Sequence, residues 1–255
     1  MPLGVERFKI RANEIDFRHK ITLPCLANLL QETAMHDVEA IGLPMQVLHE
    51  KNLGWVLSRM YLKVNEYPKG AEEIVVETCG HTFDKYYAYR DFRVYDKNEN
   101  IICTATSSWL IFDLAKRQLI SIPDFARKSV SFCTEREPLP FPKSKIPSLQ
   151  NIDYQTEFQV HWHDLDMNKH VNNVIYFQWI LDTLPAEILN NFRVSEFDIM
   201  FRTECLLHEK VIAQAEIVNK LAEGSQKEKE QIFLHKIIKE GNRKEVIQAE
   251  VRFIQ

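Results

Sequence analysis

The stretch Asp164-Leu-Asp-Met-Asn-Lys-His-Val-Asn-Asn-Val-Ile-Tyr176 gathers acids, amides and an imidazole immediately ahead of a largely apolar segment. Asp166, Asn168 and His170 recur at alternate positions, and Glu204 follows downstream within Phe201-Arg-Thr-Glu-Cys205. Side chains of these types position a water molecule and move its proton, which is general acid-base chemistry. A helix that starts directly after them adds backbone N–H groups able to polarise a carbonyl or hold an oxyanion. The plainer reading of Asp166 and Asn168 is helix capping, because short polar side chains satisfy the first N–H groups of a helix. Cys205 offers a thiol nucleophile with His170 as its base. Successive side chains of a regular strand point to opposite faces, however, so Glu204 and Cys205 cannot both serve one site, and Glu204 is retained.

Other groups of residues carry less. His161 and His163 lie two apart on a strand, but no third ligand stands near them in the sequence, so they read as surface or interface histidines and no metal is expected. Tyr86, Tyr87, Tyr89 and Phe92 read as strand packing, since no glycine-rich RNA-binding block or basic stripe accompanies them. The run Gln226-Lys-Glu-Lys-Glu-Gln231 reads as a solvated loop or strand entry. A formal net charge of -4 gives no global attraction to nucleic acid.

The elements that must position Asp166, Asn168 and His170 are visible as a repeat. Residues 8–34 align without a gap on residues 158–184, an offset of 150. Phe8 matches Phe158, Asp16 matches Asp166 and Thr33 matches Thr183, while Ile10/Val160, Glu14/Asp164 and Ile15/Leu165 keep their character. Each copy reads as a short alternating strand, a polar turn and an apolar helix. The first helix is expected from near Pro24 to the stop at Gly42, and the second to end before Pro185. Val174, Ile175, Tyr176, Phe177, Trp179, Ile180 and Leu181 cover most of the second helix, which predicts burial on nearly all sides.

Strand candidates rich in β-branched and aromatic residues follow each helix. They fall around 55–64, 74–81, 86–95 and 101–112 in the first half, and around 197–205, 210–218, 231–238 and 245–254 in the second. Short turns make such strands pair antiparallel, and one helix covers their common apolar face. The expected fold class is therefore α+β, a double hot dog in which each of two tandem domains wraps an antiparallel sheet around a long helix. Pro123, Pro138, Pro140, Pro142 and Pro147 mark a semi-extended linker. The expected division is an N-terminal domain over 1–125, a linker over 126–152 and a C-terminal domain over 153–255.

At 45% hydrophobic and 27% charged residues, the 255-residue chain has the composition of an ordinary folded protein. No run approaches the ~20 apolar residues of a membrane span, and the charged start lacks the apolar core of a secretory signal. Five cysteines form an odd, spread set without CxxC, which argues against a disulfide framework and a cysteine zinc site. A cytoplasmic location with no membrane association is expected.

The run Asp164-Leu-Asp-Met-Asn-Lys-His-Val-Asn-Asn-Val-Ile-Tyr-Phe-Gln-Trp-Ile-Leu181 closely resembles the signature of plant and bacterial acyl-ACP thioesterases, and Phe201-Arg-Thr-Glu-Cys205 resembles a second block of that family. The complete motif outweighs the capping reading. Hydratases of the same fold carry Asp-x-Asn-Pro-x-x-His-like arrangements, whereas Lys169 directly follows Asn168 here, which disfavours hydration. The resemblance implies a catalytic set of Asp166, Asn168, His170 and Glu204 with no cofactor. It implies hydrolysis of fatty acyl-ACP to free fatty acid and holo-ACP in fatty acid biosynthesis, by a C-terminal catalytic domain and an N-terminal domain that holds the acyl chain. Glu204 and His170 are the candidates to activate water, Asn168 to fix geometry and Asp166 to orient its neighbours. In the first copy Arg18 and Lys20 stand where Asn168 and His170 stand in the second, so that half has lost the constellation.

The implied partner is acyl carrier protein with its phosphopantetheine-linked acyl chain, contacted by Arg18, Lys20 or Lys169 if these are more than exposed basic residues. The competing readings are an acyl-CoA thioesterase and a non-catalytic acyl-carrier-binding protein. Monomer and homodimer both fit the duplicated chain.

Overall fold

The computed structural model describes residues 3–129, 132, 134, 136–218 and 230–255. Internal contacts divide the chain into two units, Met1–Pro142 and Lys143–Gln255.

The first unit contains β1 (Gly4–Lys9), α1 (Leu23–Ala40), α2 (Met45–His49), β2 (Leu53–Val64), β3 (Glu73–Phe83), β4 (Tyr87–Tyr95), β5 (Ile101–Asp113), β6 (Gln118–Ile120) and α3 (Asp124–Ser129). Its strands pair antiparallel in the order β1-β3-β4-β5-β2, with β6 added to β5. α1 starts where Thr22 Oγ1 accepts from the Cys25 N–H at 3.3 Å and Pro24 occupies the first turn, where its missing N–H costs nothing. It stops before Gly42, whose φ of 78° favours glycine. Its buried face, including Leu23, Leu26, Ala27, Leu30 and Ala34, packs on β1 and β3.

Two polar side chains, Thr33 and Asp37, interrupt that face. Asp37 receives Arg90 Nη1 of β4 at 2.6 Å, and the same nitrogen reaches Thr78 Oγ1 of β3 at 2.9 Å, so both charges are compensated inside the core. The pair leaves little space above β1. A Cβ on Gly4 would come within 2.7 Å of Asp37 Oδ1. A satellite core formed by Leu43, Leu48, Leu53, Ile111 and Ile122 sits under α2 and α3.

The second unit contains β7 (Tyr154–Gln159), α4 (Asn173–Asp182), α5 (Ala186–Asn191), β8 (Arg193–Phe201), β9 (Lys210–Ile217), β10 (Glu230–Lys239) and β11 (Glu245–Ile254). Its order is β7-β9-β10-β11-β8, all antiparallel. Each unit thus runs first, third, fourth, fifth, second, and β1 and β7 share the alternating burial of a strand with one covered face. Under α4, Phe177 stacks on Phe197 with ring centres 4.5 Å apart, and Trp179 stacks on Phe158 at 5.4 Å. His235 of β10 lies in this core opposite Ala249 and Ala215, with no hydrogen-bond partner for either ring nitrogen among the described residues. Burial pushes its pKa down to about 3.

Three expectations change. α4 is not buried on nearly all sides, because Gln178 and Asp182, four residues apart, leave one stripe open to solvent. β8 begins at Arg193 and ends at Phe201, so Glu204 and Cys205 lie beyond the strand rather than within it. Cys79 is disulfide-bonded while Cys25, Cys103 and Cys205 are free; an odd cysteine count excludes complete pairing but not a single bridge. Residues 226–229 of the charged run lie outside the described residues, as does Cys133.

The proline-rich segment forms no regular element over 136–150, yet it is tied down. Arg93 Nη2 donates to the Glu137 carbonyl at 2.6 Å, the Leu139 N–H to Asp91 Oδ2 at 2.5 Å and Arg59 Nη1 to the Pro142 carbonyl at 3.2 Å. Burial raises the Asp91 pKa, and the Leu139 N–H, His81 and Arg93 oppose that rise. Further on, Gln248 Nε2 of β11 donates to the carbonyls of Ile146 and Pro147 at 3.0 Å. Among the described residues no helix is long and apolar enough to cross a membrane.

Candidate active site

Between β7 and α4 the chain makes a closed turn organised by Asp166. The Asp166 N–H donates to the His170 carbonyl at 2.8 Å, and Asp166 Oδ1 accepts from the N–H groups of Asn168 at 2.8 Å and His170 at 3.3 Å. Asn168 Nδ2 reaches Asp166 Oδ2 at 3.4 Å. Lys169 sits at φ 61°, the left-handed conformation that closes the turn. The Asp166 carboxylate is therefore spent on the backbone of the turn rather than on the start of α4. Asn172 caps that helix, its Oδ1 accepting from the Val174 N–H at 3.1 Å.

Glu204 reaches the turn from the segment after β8. The Val171 N–H donates to the Cys205 carbonyl at 3.0 Å, which places Glu204 Oε2 3.5 Å from His170 Nε2, both side chains about 35% exposed. A carboxylate beside a half-exposed imidazole at the start of a helix can activate a water and hold the proton it gives up. Of the four residues proposed from sequence, the structure brings His170 and Glu204 together by their side chains. Asp166 lies behind them as the organiser of the turn, and Asn168 lies in the turn, exposed.

Cys205 is separated from this arrangement by burial rather than by strand alternation. Its side chain faces the core, where burial raises the thiol pKa to about 11 and leaves it protonated at neutral pH. The Tyr176 hydroxyl of α4 is buried beside the thiol. Two features of the site were not singled out from sequence: the Asn172 cap and the Cys205 carbonyl. Asn172 carried a signal, as an Asn just before an apolar helix; the carbonyl carried none.

The first unit repeats this backbone with other side chains. The Asp16 N–H donates to the Lys20 carbonyl at 2.8 Å, Asp16 Oδ1 accepts from Arg18 N–H at 2.9 Å and Lys20 N–H at 3.1 Å, and His19 has φ 58°. The Ile21 N–H donates to the Pro68 carbonyl at 2.9 Å, as Val171 does to Cys205. Tyr67 thus stands where Glu204 stands in the second unit. Arg18 turns back onto Asp16, with Nε 2.9 Å from Oδ2, and Lys20 Nζ donates to the Tyr67 carbonyl at 2.6 Å. Among the described residues, the matching place in this copy holds Lys20 and Tyr67 instead of an imidazole beside a carboxylate. Among the described residues no group of three or more His, Cys, Asp or Glu is placed to hold a metal ion.

Comparison with known proteins gives a consistent picture. The family model described as the acyl-ACP thioesterase N-terminal domain matches residues 5–129, and that of the acyl-ACP thioesterase C-terminal domain matches residues 148–255. An oleoyl-acyl carrier protein thioesterase from Coriandrum sativum chloroplasts is 28% identical over 81% of the chain and 60% of its own length. A palmitoyl-acyl carrier protein thioesterase from Cuphea hookeriana chloroplasts is 31% identical over 78% of the chain and 51% of its own length. The chain therefore spans between half and two thirds of these two relatives. Among solved structures, an acyl-ACP thioesterase from Bacteroides thetaiotaomicron matches with a TM-score of 0.83 at 25% identity, covering 98% of this chain and 97% of that one. The 12:0-ACP thioesterase from Umbellularia californica matches with a TM-score of 0.86 at 23% identity, covering 99% of this chain and 94% of that one, a likeness of fold.

Proposed function

Because the chain belongs to the acyl-ACP thioesterase family, we propose that it hydrolyses the thioester of fatty acyl-ACP in fatty acid biosynthesis, releasing the free fatty acid and the thiol of holo-ACP. The observation that carries this reading is the His170–Glu204 pair at 3.5 Å, present in the second unit and replaced by Lys20 and Tyr67 in the first.

Hydrolysis needs a water deprotonated as it attacks the thioester carbon, a donor for the oxyanion and a proton for the departing sulfur. In this reading the Glu204–His170 pair takes the proton from the water and His170 returns it to the thiolate as the carbon–sulfur bond breaks. Asn168 orients the reacting group through its amide. Asp166 is a positioning residue, since its carboxylate holds the N–H groups of Asn168 and His170. The N-terminal end of α4, directly after the turn, presents the positive end of a helix dipole, the sign that favours a developing oxyanion. No residue of the described chain is assigned to a metal or cofactor. The first unit, having lost the acid-base set, holds the acyl chain.

The test is thiol release by the purified protein from a panel of acyl-ACPs of different lengths, run beside the matching acyl-CoAs. Faster turnover of the carrier-protein thioesters is expected. Preference for CoA thioesters would make the protein an acyl-CoA thioesterase, and binding without cleavage of either would make it an acyl-carrier-binding protein.

A further inference from the structure

The peptide that carries Glu204 is anchored on both sides, and buried Cys205 stands between the anchors. On one side the N–H groups of Arg202 and Thr203 donate to the Val246 carbonyl of β11, at 2.9 and 3.4 Å. On the other, the Leu206 N–H donates to Glu209 Oε2 at 2.8 Å, and Lys239 Nζ holds Glu209 at 2.7 Å. The Cys205 carbonyl accepts from the Val171 N–H, but no backbone carbonyl among the described residues accepts from the Cys205 N–H. A buried N–H calls for an acceptor, because burial has stripped it of water.

Tyr176 is placed to supply that acceptor. It projects from α4 into the core, its ring edge-to-face with Phe201 at the end of β8, centres 6.1 Å apart, and with Trp179 at 5.4 Å. The buried hydroxyl lies against both the backbone N–H and the thiol of Cys205. A phenolic hydroxyl accepts one hydrogen bond while donating another, so one group serves the N–H and the sulfur together.

The first unit provides a comparison. Leu26 stands at the place of Tyr176, and Pro68 at the place of Cys205. Leucine has no hydroxyl and proline no N–H, so both halves of the contact are missing there. The carbonyl bond from Ile21 to Pro68 is kept, and Leu26 is fully buried. Neither closing the turn nor filling the core under the helix therefore requires a hydroxyl at this position. It occurs in the copy that carries His170 beside Glu204.

We propose that Tyr176 is a positioning residue for hydrolysis, its hydroxyl holding the Cys205 N–H from the core side so that Glu204 stays beside His170. The inference rests on the proposed thioesterase reaction and adds a residue of α4 that acts through the backbone of residues 202–206. Glu204 is partly open to solvent, so its aim depends on the peptide beneath it.

The experiment compares wild type with Tyr176→Phe, which keeps the ring and removes only the hydroxyl, by steady-state kinetics on acyl-ACP and by amide hydrogen exchange read by NMR. The substitution is expected to lower kcat by ~10-fold or more, the scale of a small misplacement, with KM within about twofold of wild type. The Cys205 amide should exchange at least ~10-fold faster while the amides of β10 keep their rates. In a Glu204→Ala background the same substitution should change the residual rate by less than about twofold, since its effect passes through Glu204. Cys205→Ala, which keeps the N–H, should stay well above Tyr176→Phe in kcat. Unchanged kcat, a loss confined to KM, a loss undiminished without Glu204, or unchanged exchange at Cys205 would each overturn the proposal. So would faster exchange throughout the domain, which marks a general role in stability, or a Cys205→Ala variant as slow as Tyr176→Phe. A wild-type protein that cleaves neither acyl-ACP nor acyl-CoA would remove the hydrolase reading, while faster exchange confined to Cys205 would still show the hydroxyl holding this segment.

Discussion

The Val171 N–H donates to the Cys205 carbonyl at 3.0 Å, and this one backbone bond ties the residue after His170 to the residue after Glu204. The His170 and Glu204 side chains are thus neighbours through main-chain geometry, while the Cys205 thiol points into the core. Glu204→Ala and His170→Ala should each lower kcat by at least ~100-fold, the scale of lost acid-base catalysis. Cys205→Ala should keep most of the activity, with a modest drop in melting temperature from the small cavity it leaves. Stopped thiol release in Cys205→Ala, beside an active His170→Ala, would reverse these roles.

Asp166 works through the backbone, so its shape matters more than its charge. Asp166→Asn keeps an oxygen for the N–H groups of Asn168 and His170 and should retain much more activity than Asp166→Ala. Rescue should appear in kcat, because the alanine variant loosens the peptide that carries His170. Equal activities for the two variants would rule out the positioning role.

His235 makes the fold sensitive to acid. Its pKa falls from 6.5 to about 3 on burial, so between those values the unfolded chain binds a proton that the folded chain refuses. Stability should be unaffected by this group above pH 6.5 and fall as the pH drops from there toward 3, by on the order of 1 kcal/mol per pH unit. Denaturant titrations of wild type and His235→Leu over that range should diverge, with the wild type losing more. Parallel curves would show that His235 does not set the acid limit.

The buried Arg90–Asp37 pair should matter most when half of it is removed. Asp37→Ala strands a guanidinium in the core of the first unit and should cost about 3 kcal/mol or more. Adding Arg90→Met to that variant should recover part of the loss, measurable by chemical denaturation. No recovery would mean that Arg90 finds compensation elsewhere.

The repeat made much of this architecture readable from sequence. The gapless match of residues 8–34 to 158–184 reappears as two turns with the same backbone bonds, because a turn closed by an Asp and a left-handed residue depends on few side chains. Strand alternation located β1, β7 and the hairpins. The end of β8 was misread, since Thr203 and Cys205 look like strand residues while the chain there leaves the sheet to bond Val171. The exposed side of α4 was hidden because its apolar residues cover so much of the helical wheel that Gln178 and Asp182 carried little weight. The placement of Glu204 beside His170 followed from the family likeness alone, for a contact made across a backbone bond to a carbonyl leaves no mark in residue spacing. Cys79 shows the limit of counting cysteines.

The shared turn gives the protein its own internal null variant. Asp16, Arg18, Lys20 and Tyr67 show that this backbone closes with an arginine, a lysine and a tyrosine where the other copy has Asn168, His170 and Glu204. Folding of the turn is therefore indifferent to what these positions carry, and substitutions at Asn168, His170 and Glu204 should leave the domain intact. Selection can change or discard these side chains without dismantling the scaffold, and one half of this chain already carries a different set at the same places.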